Sequence, residues 1–443
     1  MDSKQTSGIF AWLWFSGWWG LILLSPAWGQ SEGDANDPQP LTSASGRHIK
    51  LASDVHSLPE TIELVDSFDR AVQQWQAFWG LSDADLERWK IEAFVMRDQN
   101  EFRRRNWIPP RVPPFRHGYA LERSVWVVAQ PSQYYTRHLL LHEGMHALAF
   151  EFFGGAGPAW YMEGTAEMMS THRGVGRDLL INQLPRRREE VPYWGRFKAI
   201  AERREAGSIP SLDAVMDFPN DLNNDAEAYA WCWMAAMILY AYPEYRDVFF
   251  AAAKNGRDTT PAFNRLIRSR LASQWPVLRA RWRLMCRDLD YGFDWQRERV
   301  QLSTRDPLWQ GDALDIRISS DQGWQSAGVR FPPGTRLSVT AAGSVILAET
   351  SRPWTSHPDG VTIRYEQGRP LGQLLACVVP NAPGNAATEL VLPTIAIGAA
   401  GDIVIREHSW VVFRVNDAIG ELADNQGVYQ VNLMQRRASV PRR

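Results

Sequence analysis

Apolar positions change their spacing along this chain, and the changes divide it. Between residues 59 and 79, Ile62, Val65, Phe68, Val72, Trp75 and Phe78 recur every three or four positions, the period of a helix with one buried face. Short β-type runs surround it at 48–52, 91–96 and 124–129. A short helix is expected near 99–104, and Pro109, Pro110, Pro113 and Pro114 mark an irregular loop. Residues 226–242 are apolar almost all round, too short and too aromatic for a membrane span, and are expected as a central buried helix. Helix predominates from about 167 to 283. Near residue 300 the period becomes two. Runs at 314–318, 328–331, 336–341, 361–365, 371–379, 402–405 and 410–415, broken by Gly and Pro, argue a β-sandwich, and no Cys…Trp…Cys spacing points to an immunoglobulin domain. A multidomain chain follows: an α+β part at 47–300, an all-β sandwich at 301–436 and a basic tail at 437–443.

A further apolar stretch, 8–24, follows Lys4 and precedes Ser25-Pro-Ala-Trp-Gly29-Gln30. It reads as a secretory signal peptide at 1–29, cleaved after Gly29. A retained membrane anchor is the competing reading, because the run approaches the length of a span. Membrane association is expected only in that case. No Cys follows the run, which excludes a lipoprotein. Residues 30–46, rich in Ser, Asp, Pro and Gly, are expected to form a flexible lead. The expected location is therefore periplasmic, cell-surface or secreted. Cys232, Cys286 and Cys377 are odd in number and lack C-x-x-C spacing, so they form no disulfide framework. A bridge between Cys232 and Cys286 and buried free thiols both stay open.

Apolar content of 45% and charged content of 22% are those of a globular protein. A net charge of −2 argues against nucleic acid as a partner, and runs such as Arg103–Arg105 and Arg186–Arg188 read as solvated faces. The 21 Trp residues fall largely on helical apolar faces, so core packing is expected of them before carbohydrate stacking.

The chemistry concentrates in residues 139–150. His142, Glu143 and His146 form an H-E-x-x-H arrangement among good helix formers. Positions i and i+4 share a helix face, so both imidazoles can reach one metal ion, with Glu143 one step round. Gly154-Gly155-Ala156-Gly157-Pro158 then breaks the helix, so a second one can fold back carrying Glu163 and Glu167 on one face. Glu163 is the candidate third ligand. Glu167 is placed to accept the other ring N–H of a ligating histidine. Two His and one Glu leave a fourth tetrahedral position for water, as in catalytic zinc sites.

His142-Glu143-x-x-His146 followed by Trp160-Tyr-Met-Glu163-Gly164-x-Ala166-Glu167 resembles the gluzincin metallopeptidases, in particular the peptidase MA-like families of exported bacterial proteins. The resemblance implies a zincin-like α+β domain, mostly helical after the metal helix. It implies zinc on His142, His146 and Glu163, with Glu143 as general base. Gluzincins commonly use a Tyr or His from a later helix to hydrogen-bond the oxyanion, which makes Tyr229 a candidate, a plain core tyrosine being the alternative. His138, one turn before His142, is expected at the surface or behind a ligand, since a fourth protein ligand would close the site. The strand at 124–129 is either a sheet edge on which a peptide pairs or an ordinary internal strand. The aminopeptidase G-x-M-E-N motif is absent, with only a faint echo in Gly118-Tyr-Ala-Leu-Glu122, so endopeptidase action is expected.

Asp417, Asp424 and Asn425 supply hard oxygen donors that suit Ca²⁺. Val415-Asn416-Asp417…Asp424-Asn425-Gln-Gly427-Val-Tyr429, with Pro370-Leu-Gly-Gln-Leu-Leu and His357-Pro-Asp-Gly360, is similar to small calcium-dependent galactose-binding lectins. The resemblance implies calcium on Asp417, Asp424, Asn425 and the Glu421 carbonyl, with His357 beside a bound sugar. Gly360 departs from it, standing where that family carries a second polar sugar contact. A polar turn between two strands is the alternative. The expected function is an exported zinc hydrolase acting on a peptide or protein, its C-terminal module docking on a cell-envelope glycan or shaping the substrate cleft. A carbohydrate-binding or structural envelope protein with an inert metal site is the rival.

Overall fold

The structure is a computed structural model describing residues 41–222, 225–349, 351–381 and 386–436. The apolar stretch 8–24, the cleavage site after Gly29 and the tail 437–443 lie outside these residues. So does most of the expected lead at 30–46, but its end is ordered: Thr42–Ser45 forms β1, an antiparallel partner of β2 (Ile49–Ser53). A polar Thr-Ser-Ala-Ser string becomes a strand here because a neighbouring edge satisfies its amides.

Between β2 and β3 (Ile91–Met96) runs α1 (Leu58–Trp79). Ser57 and Glu60 cap its start reciprocally, and Gly80 ends it in the left-handed region at φ 66°. β4 (Gly118–Leu121) and β5 (Ser124–Val128) complete a five-stranded sheet ordered β1-β2-β3-β5-β4. The β2–β3 and β3–β5 pairs are parallel, and β4 returns antiparallel along β5. β5 is thus internal, and β4 is the edge on its side. Both faces of the sheet are covered, which the alternation along β5 reports. Val125 and Val127 face the main core, whereas Trp126 packs with Met96, Phe102, Ile108 and Val112 of the segment after β3.

α2 (Gln133–Phe153) follows β5, and the chain doubles back into α3 (Ala159–Ser170). Further on come α4 (Arg196–Glu205), the short β6 (Ser208–Pro210), α5 (Ala226–Ala241) and α6 (Trp275–Asp288). α5 is the expected central buried helix. No helix among the described residues is long and apolar enough to cross a membrane. Trp75, Trp89, Trp160, Trp194, Trp231, Trp233 and Trp282 are all fully buried, so tryptophan here is core. Cys232, Cys286 and Cys377 are free and buried, with no Cys232–Cys286 bridge.

The C-terminal part is β-rich. One sheet contains Gln325–Phe331, Ser409–Val415, Leu374–Pro380 and Ile395–Ala396 in that order. The other is built on Gln426–Gln435, paired with both Leu314–Ser319 and Arg336–Ala342. Side chains of both sheets meet in one core, including Leu337, Val339, Val431 and Leu433 from one and Leu374, Ala376, Val411 and Phe413 from the other. Gln426–Gln435 was not among the β-type runs read from the sequence, its start falling within the lectin-like Val415…Tyr429 motif. Its inward residues Tyr429, Val431 and Leu433 do alternate.

From Leu41 onward the chain is one compact unit. Leu375, Cys377, Val379, Trp410 and Val412 turn outward from the first sheet onto Val277, Ala280 and Leu284 of α6. Thr388–Leu390 adds antiparallel to β6, so the helical half borrows a strand from the β-rich half. Charges are buried at this junction. Asp288 accepts from Trp324 Nε1 and pairs with Arg287 at 3.1 Å, and Arg414 lies 3.7 Å from Glu298.

Burial pushes the Glu298 carboxyl up to about 7 against the pull of Arg414, with Asp288 and Asp294 adding to the rise. Between about pH 4.5 and 7 the folded chain therefore holds a proton that the unfolded chain has released. The stability this group contributes is fully present below about pH 4.5 and is lost as pH rises through about 7. Glu298→Gln is expected to remove a dependence on the order of 3 kcal/mol over that window. Denaturant unfolding at several pH values checks this, and parallel profiles for the two proteins would refute it.

Candidate metal centre

Ser132 opens α2 by accepting from the amide of Tyr135, and Gly154, at φ 70°, closes it. The helix is buried on every side from Thr136 to Ala149, so its polar groups lie in the interior. Gly144, inside the H-E-x-x-H motif, allows α1 to approach: a Cβ there would lie 2.3 Å from the Phe68 ring. The turn that follows needs glycine for the same reason. A Cβ on Gly155 would lie 2.4 Å from the Gly256 carbonyl oxygen, to which the Gly157 amide donates at 2.7 Å. Gly164 backs directly onto the Cys232 carbonyl of α5. With α3 pressed onto α5 at Gly164, Glu163 lies against α2.

His142 Nε2 is 3.0 Å from Glu163 Oε2 and 3.1 Å from His146 Nε2, and His146 Nε2 is 3.4 Å from the same carboxylate oxygen. Tetrahedral ligands at about 2.0–2.1 Å from a zinc ion stand roughly 3.3 Å from one another, so the donor set fits the ion. A single proton could join only two of these three atoms, whereas a cation satisfies all of them. All three residues are buried. Glu163 is held down to about 2: burial works to raise it, but His146 and His142 outweigh burial.

Glu143, also buried, stands beside this triangle. Burial lifts its carboxyl to about 7, His146 opposing and Glu163 adding to the rise. A dication alongside would lower it again. The β4 edge passes directly over Glu143, and a Cβ on Gly118 would lie 2.6 Å from Glu143 Oε1. The Gly118–Glu122 stretch therefore runs beside the motif, and β4, rather than the strand at 124–129, supplies the edge.

Glu167 lies behind His142. Its Oε1 is 3.5 Å from His142 Nδ1, longer than a hydrogen bond, and its Oε2 is 3.3 Å from His138 Nε2. Arg196 and Trp194 also reach the same carboxylate. Burial opposes its ionisation, yet Arg196 and His138 hold it well below the usual carboxylate range. His138 is not a surface residue: it is completely enclosed. Tyr229, half-buried at the start of α5, has its ring 6.2 Å from that of His142, and burial together with Glu163 and Glu143 raises its phenol. The structure thus brings the sequence candidates His142, Glu143, His146, Glu163, Glu167 and Tyr229 into one neighbourhood, where sequence reasoning had not placed Arg196, Trp194 or β4.

The C-terminal candidates come together less completely. Asp417 and Asn425 are buried and joined by a 2.9 Å hydrogen bond, and burial raises Asp417 to about 6. Asn425 Oδ1 is enclosed and has no hydrogen-bond partner among the described residues. Asp424 is exposed, and the Glu421 side chain, also exposed, pairs with Arg364 at 3.1 Å. His357 is exposed, with Nδ1 3.0 Å from the Gly343 carbonyl oxygen.

No protein-family model matches the sequence, and no curated protein matches it. Among solved structures it is similar to one described as "EclA N-terminal domain; PllA-like lectin", at 15% identity and a TM-score of 0.22, over 28% of this chain and 96% of that one.

Proposed function

We propose that this chain is an exported zinc-dependent hydrolase with a zincin-like helical half, cleaving peptide bonds within a chain. What supports the reading above all is the triangle of His142 Nε2, His146 Nε2 and Glu163 Oε2, with Glu143 adjacent and alongside it the strand β4, the sheet's edge among the described residues. Zinc, when bound by these three residues, supplies Lewis acidity and lowers the pKa of water to roughly 7. Glu143 takes the proton from the attacking water and passes it to the leaving amine. Tyr229 donates its O–H to the developing oxyanion. β4 accepts an extended peptide by main-chain pairing, which holds substrate irrespective of its sequence.

In the β-rich half, the unpartnered Asn425 oxygen beside a buried Asp417 favours a hard cation such as calcium, with Asp424, the Glu421 carbonyl and a sugar near His357 completing that reading. Metal analysis of the purified full chain is expected to give one zinc per molecule, and a peptide library is expected to show cleavage that a chelator abolishes. Stoichiometric zinc with no cleavage of any peptide would favour the rival, an envelope carbohydrate-binding protein with an inert metal site.

A further inference from the structure

The carboxylate of Glu167 is anchored by two residues outside the ligand triangle. Arg196 Nη2 donates to Oε1 at 2.6 Å and Arg196 Nε to Oε2 at 3.1 Å, while Trp194 Nε1 donates to Oε2 at 3.2 Å. Gly195, between the two donors, sits in the left-handed region at φ 55°, a bend that brings both neighbours onto one carboxylate. The same guanidinium has its carbon 5.4 Å from the centre of the Tyr229 ring. Arg196 therefore touches both groups that flank His142: the acid facing its Nδ1 and the tyrosine beside its ring. Its own side chain is 8% exposed, too enclosed for a surface ion pair.

We propose that Arg196 is a positioning residue of the metal centre, orienting Glu167 behind His142 and Tyr229 beside it through one rigid planar fork. The inference rests on the zinc reading above. Planarity is the reason arginine stands here. A lysine ammonium carries the same charge but offers no paired donors to a carboxylate and no flat face to a ring. Partners behind a metal-bound histidine fix its ring and its basicity, and losing them typically weakens metal binding by about 10–100-fold.

The test uses the full chain with Arg196→Lys and Arg196→Gln. Zinc affinity is measured by chelator competition, the visible spectrum is recorded on cobalt-substituted protein, and melting of the metal-free proteins reports the fold. Arg196→Lys is expected to keep a cooperative melt, bind zinc about 10–100-fold more weakly and shift the cobalt bands. In peptide cleavage kcat is expected to fall with KM nearly unchanged. Folded variants with the parent's zinc affinity and cobalt spectrum would overturn the proposal. Should both Arg196 variants fail to fold, Trp194→Phe removes the other donor to Glu167 while keeping an aromatic ring in place. A several-fold weaker zinc affinity is then expected, and parental affinity overturns the proposal. A parent protein that binds no zinc would overturn the hydrolase reading, and this one with it.

Discussion

Peptide hydrolysis by a Glu143→Gln protein is expected to be about 10²–10⁴-fold slower than by the parent, with zinc content unchanged. Glutamine preserves the shape of the side chain and its packing against Gly118, but it cannot accept a proton. The three candidate metal donors belong to other residues, so on the proposed reading the substitution removes no ligand. That separation gives the experiment its force: loss of metal together with activity would assign Glu143 to coordination, and retention of activity would remove it from the chemistry. Single-turnover cleavage of a fluorogenic peptide, with metal analysis of the same sample, reads both quantities.

Glu167→Ala is expected to be the most damaging single change to the fold near the centre, at about 3–5 kcal/mol in denaturant unfolding. The reason lies in what it leaves behind. Arg196 would be buried with no counter-charge, Trp194 would lose an acceptor and His138 its only anionic partner among the described contacts. Removing one member of a buried pair costs far more than the pair contributes, because the survivor keeps its full desolvation penalty. A loss below about 1 kcal/mol, the range of exposed pairs, would mean that water reaches the guanidinium.

The outline of both predictions was readable in the primary structure, because the candidate metal motif is local. His142 and His146 are one helical turn apart, the glycine-rich break is contiguous, and Glu163 and Glu167 follow at once. α1 was equally accessible, since its period lies within its own residues. Arg196 was not, because it meets Glu167 from 29 residues away and nothing in Trp-Gly-Arg-Phe marks it. β4 was obscured for another reason: all four of its residues are half-buried, so no alternation betrays it. Gln426–Gln435 does alternate, but the Asp and Asn just before it drew attention to oxygen donors rather than to the strand that follows. The strand Ser409–Val415 shows the opposite case. Every residue in it is buried, because one face meets the opposing sheet and the other meets α6. Such a strand reads as a continuous apolar run, and it was found easily.

That doubly covered strand bears on how the protein could be divided. Cutting near residue 300 would strip α6 from Trp410, Val412, Leu375 and Val379, laying bare a greasy flank, and would leave Ser208–Pro210 without its strand partner. Each fragment is expected to be less stable than the intact chain, which unfolding of the separated halves would check. Separating the halves therefore exposes both sides of a seam that the intact chain keeps covered.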